Sequence, residues 1–267
     1  MSDAGVIASR LLVADALRIA RSLKPEEWQA QSAAEGWRVQ DVFTHLAVFL
    51  NMVADPSMRL PDNPSGKAER MNDLTVDERR QWSPAQVLDY YEAQSRAGLA
   101  ALEALQGPEL ADVPMRMAEL GTYRMSELSD AMAFDHLVHL SADVLMPRGP
   151  VGGPVMILDE TRVAPALEWM LSGLPKMSGG ALFPVLTEPV RFVLDGPGAL
   201  EFVLARAETG TAQVAVDRDG GSARHTVRSS TTDFLLWGTT REPWEKSTRI
   251  DGDVPYVAAV LGAIDIV

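Results

Sequence analysis

Through the first 146 residues, apolar positions recur every three or four residues, the spacing of helices that bury one face. The first such run extends from about Gly5 to Leu23 and stops before Pro25. A second begins near Val39, after EGWRVQ, and ends before Pro56. The third opens at SPAQVLDYYEAQSRAGLAALEAL, with Ser83 as N-cap and Pro84 at the first helical position, where its missing N–H is no loss. The fourth starts near Ser126 and ends at Pro147. Four amphipathic helices, with one long polar connection over residues 54–82, predict a four-helix bundle.

The pattern then changes. PRGPVGGP at 147–154 reads as a linker, and its glycines do not follow a strand, which excludes a phosphate loop. A helix over roughly Asp159–Lys176 comes next. From Pro189 onward VRFVLD, ALEFVLA, TAQVAVD, ARHTVRS and DFLLWG predict strands, with DGPG and DRDGG as turns between some of them. VPYVAAVLGAI predicts a short closing helix. The fold class is therefore a mainly α N-terminal four-helix bundle followed by a smaller α+β C-terminal domain. The bundle is assigned to residues 1–155, a connecting helix and linker to 156–184, and the α+β domain to 185–267.

Charge and composition narrow the function. Net charge is −13, with 37 acidic against 24 basic residues and no basic stripe, so a nucleic-acid partner is excluded. MSDAGVIASRLL carries no basic leader before a long apolar block, and no run approaches about 18 apolar residues, so a cytoplasmic protein with no membrane partner is expected. The chain has no cysteine, which removes disulfides, thiolate metal sites and a protein thiol nucleophile. Thiol chemistry would need a thiol from outside.

One stretch breaks the apolar rule. AFDHLVHLSADVL, residues 133–145, holds two of the four histidines. At about 100° per residue, Asp135 and His139 fall inside the apolar arc of Leu128, Ala131, Met132, Val138, Ala142, Leu145 and Met146. They are four apart and project from one face. His136 falls at the edge of that arc, beside Asp143 on the polar side, and is expected at the surface. On the second helix His45 lies within the face of Val42, Phe43, Leu46, Phe49 and Val53. Charged groups aimed into a core must be satisfied there. Two imidazoles and one carboxylate converging between helices suit a divalent metal, zinc or similar, and leave coordination positions open. The plainer alternative is a helix ion pair between Asp135 and His139, with His45 a core histidine bonded to backbone. His225 in ARHTV has no acidic or histidine neighbour at ligand spacing.

Several of these stretches carry a resemblance. GWRVQDVFTHLA resembles the W-t-v-r-D-v-v-x-H-L-a signature of the mycothiol-dependent maleylpyruvate isomerase family, within the DinB-like metal-binding bundle superfamily. FDHLVHLSADVLMPRGP resembles its second signature, an acidic residue four before a histidine. VRFVLDGPGALEFVLA and TTDFLLWGTTREPWEKSTRIDGD are similar to the family's smaller α+β domain, so the resemblance covers most of the chain. It implies metal ligands at His45, Asp135 and His139, the positions the helical arcs select. Two departures stand out: the family pattern has Glu where this chain has Asp135, and Ser or Thr where it has Arg38.

The activity implied by the resemblance fits a chain without cysteine. Mycothiol, held as thiolate by a divalent metal such as zinc, adds to an activated cis double bond; the bond rotates and elimination leaves the trans isomer. Maleylpyruvate becoming fumarylpyruvate is the family's named reaction. The partners would be a small-molecule thiol and a small electrophilic substrate. Two alternatives stay open, a mycothiol S-transferase acting on electrophiles and a non-catalytic metal- or ligand-binding protein. The resemblance also implies an Arg of the smaller domain that holds an anionic group. Arg241 in WGTTREPW matches that role, with a solvated hairpin Arg as the alternative. Trp37 either lines the cofactor pocket or packs at the start of its helix.

Overall fold

In a computed structural model the chain is described over residues 3–207 and 213–267. It divides into two compact units, Met1–Ile157 and Leu158–Val267.

The first unit is helical. Its elements are α1 (Asp3–Ser22), α2 (Pro25–Gln29), α3 (Val39–Ala54), α4 (Ala68–Asp77), α5 (Pro84–Ala104), a hairpin of β1 (Pro114–Met117) and β2 (Gly121–Arg124), and α6 (Leu128–Val138). The long helices close a ring, with α3 on α5, α5 on α1, α1 on α6 and α6 on α3. Ser83 caps α5 as expected: its hydroxyl accepts from the Gln86 N–H, and Gln86 Oε1 accepts from the Ser83 N–H at 2.9 Å. The core joins Val13, Ala16 and Ile19 of α1 to Val42, Phe43, Leu46 and Leu50 of α3, Tyr91 and Leu102 of α5, and Met132 of α6. Gly98 lets α5 approach α3 closely, since a Cβ there would lie 2.9 Å from the Leu50 carbonyl oxygen.

Several features of the first unit depart from the sequence expectation, the short α2 among them. The polar connection over residues 54–82 contains α4, which buries only Thr75 and Val76 and so shows little apolar period. The β1–β2 hairpin was not anticipated. The fourth helix ends its α-helical winding at Val138 and continues as a π-helical segment, His139–Val144.

The second unit comprises α7 (Glu160–Met177), α8 (Gly179–Val185), β3 (Val190–Asp195), β4 (Leu200–Arg206), β5 (Val214–Asp217), β6 (His225–Ser230), α9 (Thr231–Trp237), β7 (Arg249–Asp251) and α10 (Val254–Leu261). Its sheet runs β5-β4-β3-β6-β7, antiparallel except for the parallel pair β3–β6. DGPG makes the β3–β4 turn, with Gly196 and Gly198 at positive φ. The first two residues of the TAQVAVD expectation lie outside the described residues. DFLLWG is helix rather than strand. Ser230 caps α9 by accepting from the Asp233 N–H at 3.0 Å, and Thr231, Phe234 and Trp237 bury one face at helical spacing. The cap outweighs the strand preference of Phe and Trp. Among the described residues no helix is long and apolar enough to cross a membrane.

Candidate metal centre

His45 is presented by the middle of α3, Asp135 by α6, and His139 by the first residue of the π-helical segment. Each offers one ligand atom, and the three atoms lie within 4.8 Å of one another. His45 Nε2 is 3.1 Å from Asp135 Oδ1, and His139 Nε2 is 3.5 Å from the same oxygen. Neighbouring ligands of a tetrahedral ion with bonds of about 2.0–2.1 Å sit roughly 3.3–3.4 Å apart, so the spacing fits the donor set. The side chains are 6%, 12% and 17% exposed for His45, His139 and Asp135, so all three are largely enclosed.

One observation favours a cation over a plain ion pair. Asp135 Oδ2 is buried without a hydrogen-bond partner, an oxygen that a positive centre would satisfy. Burial pushes the Asp135 carboxyl up, but the charge and hydrogen bond of His45, with His139 and His136 behind it, hold it below the usual carboxylate range. It is therefore a ready anionic ligand at neutral pH.

Trp37 stands in the loop before α3 and covers both imidazoles, with its ring 5.0 Å from His45 and 6.0 Å from His139. Its indole N–H donates to Asp73 Oδ1 at 3.1 Å, which ties this wall to α4. Arg38, in place of a hydroxyl cap, leaves half of the capping arrangement to Asp41, whose carboxylate accepts from the Arg38 N–H at 2.9 Å. The same carboxylate pairs with the Arg38 guanidinium at 2.9 Å, which anchors the start of the helix that carries His45.

His136 and Asp143 are not at the surface. His136 is fully buried; Asp143 is 1% exposed, with Oδ2 2.8 Å from His139 Nδ1. The expectation failed for His136 because α6 is enclosed on nearly every side, and for Asp143 because the winding has become π-helical by that point. His136 is kept neutral by burial, which lowers its pKa to about 4 against the opposing pull of Asp135. Its Nδ1 must donate to the Met132 carbonyl at 3.0 Å, so Nε2 accepts from the Tyr91 hydroxyl at 2.8 Å. Tyr91 stays protonated, because burial first and the Asp135 charge second raise its pKa.

Residues 9–142 match the family described as Mycothiol maleylpyruvate isomerase N-terminal domain. The chain belongs to that family. Two solved structures, of the mycothiol-dependent maleylpyruvate isomerase and of a mutant of it, share its fold. They align with a TM-score of 0.58 at 15% and 14% identity, over 94% of this chain and 94% of each of theirs. No curated protein matches.

The remaining candidates of this family member lie in the second unit. Arg241 follows α9, and its backbone N–H closes the turn on the Leu236 carbonyl at 2.9 Å. His225 opens β6 with an acidic neighbour that sequence spacing did not reveal: its Nε2 is 3.4 Å from Glu188 Oε2. Its Nδ1 accepts from the Asp253 N–H at 3.2 Å, at the cap of α10.

Proposed function

We propose that this protein binds one divalent cation, zinc in the first instance, through His45, Asp135 and His139, and uses mycothiol as a thiol cofactor in cis–trans isomerisation of a maleylpyruvate-like substrate. The observation that carries this reading is the convergence of two imidazole nitrogens on a carboxylate whose second oxygen is buried and unpartnered. A cation bound there supplies charge that keeps a coordinated thiol ionised at neutral pH. The chain has no cysteine, so a thiol reactant must come from solution. Two imidazoles and one carboxylate leave coordination positions for it. Trp37 shields the imidazoles from water and narrows the space beside them. Arg241 is the candidate for holding an anionic group of the substrate; its support is the family resemblance and the fit of a planar guanidinium to a carboxylate.

The test is elemental analysis of the purified protein, followed by turnover of maleylpyruvate with and without mycothiol. The expected result is close to one zinc per chain and turnover only with the thiol. Metal-free protein that takes up no zinc overturns the site. Turnover without thiol overturns the cofactor role and points to water as the nucleophile, with cleavage products marking a hydrolase. A loaded protein that transfers mycothiol to electrophiles but leaves maleylpyruvate unchanged would be an S-transferase, and one inert to all of them a binding protein.

A further inference from the structure

We propose that Asp143 is a positioning residue of this metal centre: it holds His139 as the Nδ1–H tautomer and so presents the Nε2 lone pair to the cation. The inference rests on the metal-binding reading above. A carboxylate can only accept a hydrogen bond from a neutral ring, so the 2.8 Å contact between Asp143 Oδ2 and His139 Nδ1 places the ring proton on Nδ1. The opposite nitrogen, Nε2, is the one that faces Asp135 Oδ1 at 3.5 Å. A buried carboxylate behind a ligating imidazole fixes ring orientation and makes the ring a stronger donor.

The chain holds Asp143 from its main chain as well. The Ala33 N–H, in the loop that also carries Trp37, donates to the Asp143 carbonyl at 2.9 Å. The π-helical winding is closed by the Leu145 N–H on the Leu140 carbonyl at 3.0 Å, and the Val151 N–H donates to the Val144 carbonyl at 3.0 Å. Gly149 packs so tightly on this segment that a Cβ would lie 2.6 Å from the Asp143 carbonyl oxygen and 2.3 Å from that of Val144. An exposed histidine–aspartate pair at this spacing would swing freely. This one is clasped from two loops.

The experiment compares wild type, Asp143→Asn and Asp143→Ala by zinc titration against a chromophoric chelator, with nitrogen-15 NMR of the His139 ring in metal-free and zinc-loaded protein. Asp143→Asn keeps volume and should keep the fold, monitored by circular dichroism and thermal melting. The expected result is a zinc affinity about 10–100-fold weaker in Asp143→Asn and at least as weak in Asp143→Ala. The His139 ring should be Nδ1–H in the wild type and mixed in the Asn variant. Folded variants that bind zinc as tightly as wild type, with the tautomer unchanged, overturn the role while leaving the metal centre standing. Wild-type protein that binds no zinc removes the metal centre and the role together, before any variant is compared. If neither variant folds, the wild-type spectrum decides, because a His139 ring with no proton on Nδ1 in metal-free protein contradicts the proposal.

Discussion

The Tyr91 hydroxyl donates to His136 Nε2 at 2.8 Å inside the bundle, where neither side chain meets water. With Nδ1 committed to the Met132 carbonyl, the imidazole is bonded at both nitrogens by a helix that carries no metal ligand and by its own. Tyr91→Phe keeps the ring and deletes the donor, leaving a buried nitrogen without a partner. Stability should fall by about 1–3 kcal/mol in denaturant unfolding. Zinc content should stay near wild type, because neither atom belongs to the ligand cluster. An unchanged unfolding midpoint would show that the hydroxyl is not needed there.

The same ring gives the metal-stripped protein a defined pH dependence. His136 titrates at about 4 in the folded chain, against an ordinary value of 6.5, chiefly because burial disfavours its charge. A depressed histidine contributes stability that is complete above the unfolded value and lost as pH falls through the folded one. Between about pH 6.5 and pH 4 the unfolded chain binds the extra proton, and stability should drop by on the order of 3 kcal/mol. Asp135 does not blur this window. Its carboxyl is pushed up by burial but held below the carboxylate range by the imidazoles, so its own loss comes at lower pH. Unfolding curves at several pH values should be flatter across this window in His136→Gln than in wild type. Equal slopes would contradict the assignment.

What was legible in the sequence followed from periodicity. His45, Asp135 and His139 stood out because polar residues on apolar arcs are conspicuous, and the long helices announced themselves by the same pattern. α4 did not, since a helix that buries two residues leaves almost no stripe. Asp143 was misplaced because an ideal wheel sets it about 80° from Asp135, whereas the chain has changed to π-helical winding by then. Tyr91 could have been found. Val87, Tyr91, Ser95 and Leu102 share one buried face of α5, and a phenol placed there must seek a partner. DFLLWG misled because strand-favouring side chains outvoted a Ser cap three residues before an Asp.

Gly98 should prove intolerant despite sitting in a helix, where Ala is ordinarily better by about 1 kcal/mol. The added methyl would fall 2.7 Å from Leu50 Cδ2 and 2.9 Å from the Leu50 carbonyl oxygen, and the backbone atom cannot swing aside. Forcing α5 away from α3 typically costs about 1–3 kcal/mol and should outweigh the propensity gain. Gly98→Ala is therefore expected to lower the melting temperature. A rise would mean that the two helices have slack.

Arg241→Ala separates anion holding from metal binding. If its guanidinium holds a substrate carboxylate, turnover should fall by about 10–100-fold, the equivalent of roughly 1.4–2.8 kcal/mol, with zinc content unchanged. Arg241→Lys should restore little, since an ammonium cannot make the planar two-point contact. Kinetics matching wild type in both variants would remove Arg241 from the reaction.

Asp135→Glu tests whether the shorter carboxylate is a defect or a fit. The family pattern suggests that Glu would improve binding. The geometry argues the reverse, because Asp135 Oδ1 already lies 3.1 Å from His45 Nε2 and 3.5 Å from His139 Nε2. Those separations suit one ion shared among the three donors, with bonds of about 2 Å. A further methylene must fold back beside Met132 and Val138, the buried neighbours one turn away on the same helix, or push the carboxylate past the histidines. Overpacking of this kind distorts neighbours rather than lengthening reach. Zinc affinity should therefore fall by about tenfold or more in a competition titration, a difference of roughly 1.4 kcal/mol. Tighter binding by Asp135→Glu would mean that the backbone around α6 yields more readily than its packing implies. Asp135→Asn provides the reference: it keeps the size and loses the charge, and should lose most of the metal.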